Sequence, residues 1–370
     1  MAGFEFEARL RLELREAAER EQRRGWLARF VAAGRSLLPA IGHSALPATA
    51  VTATVAAAIA VAAIFMMSGT EQRPVAPPRV VAEFTIGDSL GETVAAYGSV
   101  WINDTSGAEL LRVDPDSRRV TARLPVRGEV SMTSGGGSLW ALQEGSFPGG
   151  FEFHGPLLRI DPSTDEVTAR IPLRTPAGQP FAGDEVLAAR DAVWVGGLHG
   201  ALRIDPRTNR VTTAIALPGD YVSSDFALWR GGLWALTADG RLLQFDTRTG
   251  DKLSEVPLEL PPASRPLETA GDALVTTVSG GLARIDPYSG RVLWSRRLGQ
   301  DLDTVATEAG GLIWARSSGR MHDRLYALDP DTGRVLTSLE LDDFGGAGIA
   351  AIDDELWLTT VGGKVVVLRR

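Results

Sequence analysis

The 370 residues contain no cysteine. That excludes disulfides, thiolate-bound zinc, iron–sulfur clusters and thiol nucleophiles together. It does not decide the compartment, because an oxidising space tolerates a cysteine-free chain. Histidine is nearly absent, with 4 residues, so no His-rich metal centre is expected. Lysine occurs only at positions 252 and 364, and the other basic residues are arginines. Acids outnumber bases 46 to 38, a balance that argues against nucleic acid as a partner. No P-loop, no H-E-x-x-H helix and no G-x-S-x-G elbow is expected in the chain. Gly135-Gly136-Gly137-Ser138 precedes Trp140 as a hairpin turn, not as a phosphate cradle at a helix start. No catalytic residue, no metal ligand and no cofactor is expected from these motifs. What is abundant is Gly, 41, with Pro, 21, which points to many tight turns.

Charge is unevenly distributed. Residues 1–35 hold 8 Arg and 6 Glu, residues 36–70 hold no charge, and the remainder carries 30 bases against 40 acids. Within the uncharged gap, Ala48 to Met67 is an unbroken run of 20 Ala, Val, Ile, Thr, Phe and Met residues. At about 1.5 Å rise per residue such a run spans a hydrocarbon core of roughly 30 Å. The long head and the Phe65-Met66-Met67 ending fit a retained signal anchor better than a cleaved signal peptide. Arg20, Arg23, Arg24, Arg29 and Arg35 precede the run, whereas Arg73 and Arg79 follow it closely. The positive-inside rule then keeps the head in the cytoplasm and exports the body. The expected organisation is a cytoplasmic helical head at 1–42, a transmembrane helix at 45–68, a Pro-rich spacer at 69–79 and a folded body at 80–370.

The body repeats. Asp114, Asp161, Asp205, Asp246, Asp286 and Asp329 are spaced 47, 44, 41, 40 and 43 residues apart, in strings such as RVDPDSRRV, RIDPSTDEV and ALDPDTGRV. A second marker precedes each: Trp101, Trp140, Trp194, Trp234, Val275 and Trp314, with Trp357 beginning a seventh unit. Each unit reads as four short antiparallel strands, the blade of a β-propeller. The last unit supplies three strands. VVAEFTI, Val80 to Ile86, aligns with the fourth-strand strings VTARLPV and VTARIPL, so the N-terminal strand is expected to close a seven-bladed all-β ring. The D-P-x-S/T-G strings are turn chemistry, with Gly or Asn at a left-handed position. The Trp series is expected to pack between blades.

The units SLWAL…LLRIDPSTDEVTARIPL and AVWVGGLHGALRIDPRTNRVTTAIAL resemble virginiamycin B lyase-like propellers. ARIDPYSGRVLWSRRL and YALDPDTGRVLTSLEL resemble pyrroloquinoline-quinone-type repeats, including Trp294 after the turn. The resemblance covers about 80–370 and implies the fold. It would also imply a His/Glu cluster with magnesium for the lyase, or a vicinal Cys pair and eight blades for the quinone enzymes. His154, His199 and His322 come from three different blades with no His-x-Glu pattern, and there is no Cys, so neither set of roles carries over.

The separation of Trp marker from turn Asp is 13, 21, 11, 12, 11 and 15 residues. Blades two and six are therefore expected to carry enlarged loops on one face. The first contributes Phe147, Phe151, Phe153 and His154, and the second Arg316, Arg320, His322 and Arg324. With His199 and the blade-start acids Asp184, Asp225 and Asp303, these are the candidate ligand- or partner-binding residues. The resulting expectation is a membrane-anchored, extracytoplasmic binding or scaffold module, whose face meets an envelope protein or small ligand. Residues 1–35 would offer a cytoplasmic partner a docking helix. The alternatives are a lyase or hydrolase using the central channel, and a transmembrane sensor signalling through the head.

Overall fold

Antiparallel four-stranded sheets, seven in number, make up the body. The computed structural model describes residues 76–370 apart from 144–154, 198, 218–224, 238, 261–266, 279, 300–303, 318–322 and 342–345. The head, the transmembrane helix and most of the spacer expected before residue 76 lie outside the described residues. Among those that are described, no helix is long and apolar enough to cross a membrane.

The chain enters on strand β1 (Arg79–Thr85). Blade one follows as β2 (Leu90–Ala96), β3 (Ser99–Asp104), β4 (Glu109–Asp114) and β5 (Arg119–Pro125). Blade two is β6 (Val130–Gly135), β7 (Ser138–Gln143), β8 (Leu157–Asp161) and β9 (Glu166–Ile171). Blade three is β10 (Glu185–Ala188), β11 (Val193–Gly197), β12 (Gly200–Asp205) and β13 (Arg210–Ala216). Blade four is β14 (Asp225–Trp229), β15 (Gly232–Leu236), β16 (Arg241–Asp246) and β17 (Lys252–Pro257). Blade five is β18 (Leu267–Ala270), β19 (Ala273–Val278), β20 (Gly281–Asp286) and β21 (Arg291–Arg297). Blade six is β22 (Thr304–Ala309), β23 (Leu312–Ser317), β24 (Asp323–Leu328) and β25 (Val335–Leu341). Blade seven has β26 (Gly346–Ile352), β27 (Glu355–Thr360) and β28 (Lys364–Arg369), and β1 pairs with β28 as its fourth strand. The first and last of the described strands thus share one sheet, and the first strand of each blade neighbours that of the next all the way round.

The core is divided among the blade interfaces. Each second strand is buried, and its Trp fills the space against the following blade. Trp101 sits with Leu139, Trp140 with Val193, Trp194 with Leu233, Trp234 with Leu274, Trp314 with Leu356, and Trp357 with Val100. Blade five has Val275 at this position. The missing volume is supplied by Trp294 of β21, which joins Val275 and Ile313 in the same cluster and donates its Nε1 proton to Pro330 O at 2.8 Å. The Trp294 ring lies directly over Gly333, where a Cβ would collide with it.

The Asp turns share one backbone bond. The fifth residue of each turn donates its amide to the carbonyl of the Asp, at 2.8–3.0 Å, in all six. That fifth residue has positive φ each time: Arg118, Asp165, Asn209, Gly250, Gly290 and Gly333. Blades one and two therefore depart from the expected Gly or Asn. Their side chains are engaged instead. Asp165 accepts Arg112 at 2.9 Å, and Arg118 pairs with Glu355 at 2.6 Å over the Trp357 ring.

Candidate functional site

The first strands run along a central channel with a volume of about 810 Å³, within the usual range for ligand cavities. An innermost strand has a free edge, whose amides need acceptors. Blades one to four answer this with one side-chain position, two residues before the partner of the Trp. Counting back from Val94, Thr133, Leu187 and Ala227, which face Trp101, Trp140, Trp194 and Trp234, that position holds Glu92, Ser131, Glu185 and Asp225. Counted back from Thr307 and Ala350 in blades six and seven it holds Val305 and Gly348. Ser131 Oγ accepts Val186 N at 3.1 Å, and Glu185 Oε2 accepts Phe226 N at 3.0 Å. Glu92 likewise takes the Met132 amide. Each bond joins one blade to the next.

These ties place carboxyl groups in a confined space. Burial pushes Glu92 up to about 8; the Met132 amide opposes the shift and the charge of Glu268 adds to it. Glu185 is raised well above the carboxylate range, again by burial first. The Phe226 amide opposes that shift, while Asp225, Asp184 and Glu92 reinforce it. Glu92, Glu185 and Glu268 were missed by sequence reasoning. For Glu92 and Glu185 the polar residue at a fixed offset before the Trp strands of blades one to four was the signal available; Glu268, which faces Val275 directly, had none.

The sequence-derived candidates are dispersed. Phe147, Phe151, Phe153, His154, Arg320, His322 and Asp303 lie outside the described residues. His199 is exposed in the turn between β11 and β12. Asp184 lines the channel and Asp225 opens β14, on the side of the blade-to-blade connections. Arg316 departs from the expectation of a loop cation. It lies in β23, 2% exposed, with Nε on Asp323 Oδ2 at 2.9 Å and Nη1 on Thr359 O at 2.6 Å. Its charge is neutralised and it fastens blade six to blade seven. Arg324 pairs with Glu340 of the neighbouring strand in its own blade.

The expectation that the chain has no G-x-S-x-G string is corrected by Gly87-Asp88-Ser89-Leu90-Gly91, which has the spacing of a nucleophile elbow. It leads into a propeller strand instead of turning from strand to helix, and the Ser89 carbonyl accepts the Thr105 amide at 2.9 Å. Among the described residues no three His, Cys, Asp or Glu groups are placed to hold a metal ion.

Comparison with known proteins agrees with the architecture. A family model described as outer membrane protein assembly factor BamB matches residues 238–370, about a third of the chain. No curated protein matches the sequence. BamB from Moraxella catarrhalis superposes with a TM-score of 0.53 at 13% identity, over 79% of this chain and 100% of that one. Virginiamycin B lyase from Staphylococcus aureus superposes with a TM-score of 0.60 at 14% identity, over 78% of this chain and 98% of that one. At such identities the likeness is one of fold, the β-propeller.

Proposed function

We propose that this chain is a protein-binding scaffold of the cell envelope, a propeller held at the exported face of a membrane by its N-terminal segment. The observation that carries the reading is the departure of blade two from a regular ring. The connection from β7 to β8 runs from Gln143 to Leu157, against Asp104 to Glu109 in blade one; that of blade six, Ser317 to Asp323, is one residue longer than that of blade one. Both connections open on one face, where loops on a rigid scaffold commonly carry recognition. The match of residues 238–370 to a family described as an assembly factor supports a protein partner. Aromatics from the first connection and Arg320 from the second are favoured interface residues. Residues 1–42 would be cytoplasmic, 45–68 the span and 69–79 the spacer. The uncharged run and the Arg excess before it support that topology.

Crosslinking of the full chain in its native envelope tests the reading, with Phe151→Ala, Phe153→Ala and Arg320→Ala compared with wild type. Loss of a crosslinked protein with the fold intact is the expected result. An unchanged profile would overturn the loop assignment. A reporter that needs export for activity, fused after Arg370, should be active; one active only in the cytoplasm would reverse the topology.

A further inference from the structure

The channel wall brings together Glu92, Glu129, Asp184, Glu185 and Glu268, and no basic side chain among its described lining residues. Carboxylates alone do not make a site, since Glu92 and Glu185 tie blades together. A second feature is independent of them. Asn103 is fully buried and lines the same cavity; its Nδ2 donates to Gly128 O at 3.4 Å, while its Oδ1 has no hydrogen-bond partner. An unsatisfied buried amide oxygen carries a desolvation cost that a ligand donor would relieve. The oxygen sits beside Gly91, close to where a Cβ would be, at 3.1 Å. Gly91 and Glu92 form the irregularity in the β2–β3 ladder opposite Asn103, between the Leu90–Asp104 and Thr93–Ile102 pairs. Bulges of this kind re-aim side chains at functional positions. The wall therefore presents acceptors from several blades and an acceptor oxygen with no donor.

An alkylammonium group complements such a wall, having three N–H donors, a positive charge and no acceptor. The acids are spread around the ring and are not gathered for a point charge, because no three described ligand groups converge on one position. That arrangement suits an elongated cation with separated charges. We propose that the central channel binds an organic ammonium cation, with Glu92, Glu268 and the Asn103 amide oxygen as its acceptors. The site goes beyond the partner-binding face and is independent of it.

The test is isothermal titration of the full-length protein in detergent with two probes, 1,4-diaminobutane and the peptide acetyl-Ala-Lys-Ala-amide, and with magnesium chloride as a third titrant. Saturable binding of either amine is expected. Tighter binding of the peptide assigns the ammonium to a partner's side chain, and tighter binding of the diamine to a free amine. Glu268→Gln and Asn103→Ala should each weaken binding about tenfold, the scale of a hydrogen bond to a charged group. Binding should also release protons at pH 7.5 and tighten towards pH 9, as Glu92 ionises among Glu129, Asp184, Glu185, Asp225 and Glu268 to meet the cation. The loop variants Phe151→Ala and Arg320→Ala should leave it unchanged, which separates this site from the protein-binding face. No saturable heat with either amine, saturation by magnesium alone, or undiminished amine binding in folded Glu268→Gln and Asn103→Ala proteins would overturn the proposal.

Discussion

Arg159 of blade two donates Nη1 to the carbonyl oxygen of Pro206, in the Asp turn of blade three, at 2.6 Å. The same guanidinium donates Nε to Ser138 Oγ at 2.9 Å and lies over the Trp140 ring. Arg112 repeats this with Ser99, Trp101 and Pro162, and Arg284 reaches Pro330 at 2.7 Å. Arg203 uses Thr247 O, the residue that stands for Pro in blade four. The Arg preceding the Asp turn is therefore an inter-blade strap. Blade four carries Gln244 at this position, and its junction with blade five is filled by Trp229, Trp234 and Tyr288 in mutual ring contact.

Arg159→Met should destabilise the ring by about 1–3 kcal/mol, the cost of an unmade charged hydrogen bond and an orphaned carbonyl. Urea unfolding monitored by tryptophan fluorescence measures it. Gln244→Met should change the midpoint far less, because Gln244 is not a strap. Equal losses at the two positions would contradict the strap.

The Arg316–Asp323 pair is buried, with side-chain exposures of 3% and 0%. Arg316→Met should cost about 3–5 kcal/mol by leaving Asp323 charged without its partner. Arg316→Met combined with Asp323→Leu should recover part of that loss. A double variant worse than the sum of the singles would show that the pair does not act as a unit.

Removing β1 from an 76–370 chain should open blade seven. The strand contributes the β28 ladder and Phe84, whose ring stands edge-on to Trp357 at 5.7 Å. An unpaired edge favours association. Light scattering and thermal melting should show aggregation or a lost cooperative transition; an unchanged melt would mean that the ring is held without its clasp.

Stability should depend on pH through the channel. Glu92 is ordinary in the unfolded chain and raised to about 8 in the fold, so between about 4.5 and 8 the native state binds more protons. Its contribution therefore makes stability fall as pH rises through that window, and levels off above 8. Glu185 acts in the same direction. Asp114, Asp161, Asp205 and Asp246 are held below the usual range by hydrogen bonds within their turns, so stability is also lost as pH falls through their folded values. Melting temperature should peak in mildly acidic buffer. Glu92→Gln should melt higher than wild type at pH 9 and close to it at pH 5. A difference of the same size at both values would remove Glu92 as the cause.

Sequence alone determined the blade count, the strand order within a blade and the closing strand. These follow from local chemistry repeated at a constant period: a buried Trp strand, an Asp-initiated turn and an alternating outer strand. Trp294 was visible as a family-like feature, but its compensation for Val275 was not, because only the register of the blade-five sheet puts Val275, Arg284 and Trp294 in one cross-strand row facing Ile313 of blade six. Arg316 illustrates the same limit. Spacing located it near an enlarged loop, whereas its partner across the blade interface, Thr359 O, is 43 residues further along the chain. The blade-start acids Asp184, Asp225 and Asp303 were legible as candidates, and Asp184 does line the channel. Glu92, Glu185 and Glu268 escaped notice because they stand far apart in sequence, on three different blades. Tertiary structure alone decided that they face one cavity, since ring closure carries the first strand of every blade to the axis, where burial and mutual repulsion change their chemistry.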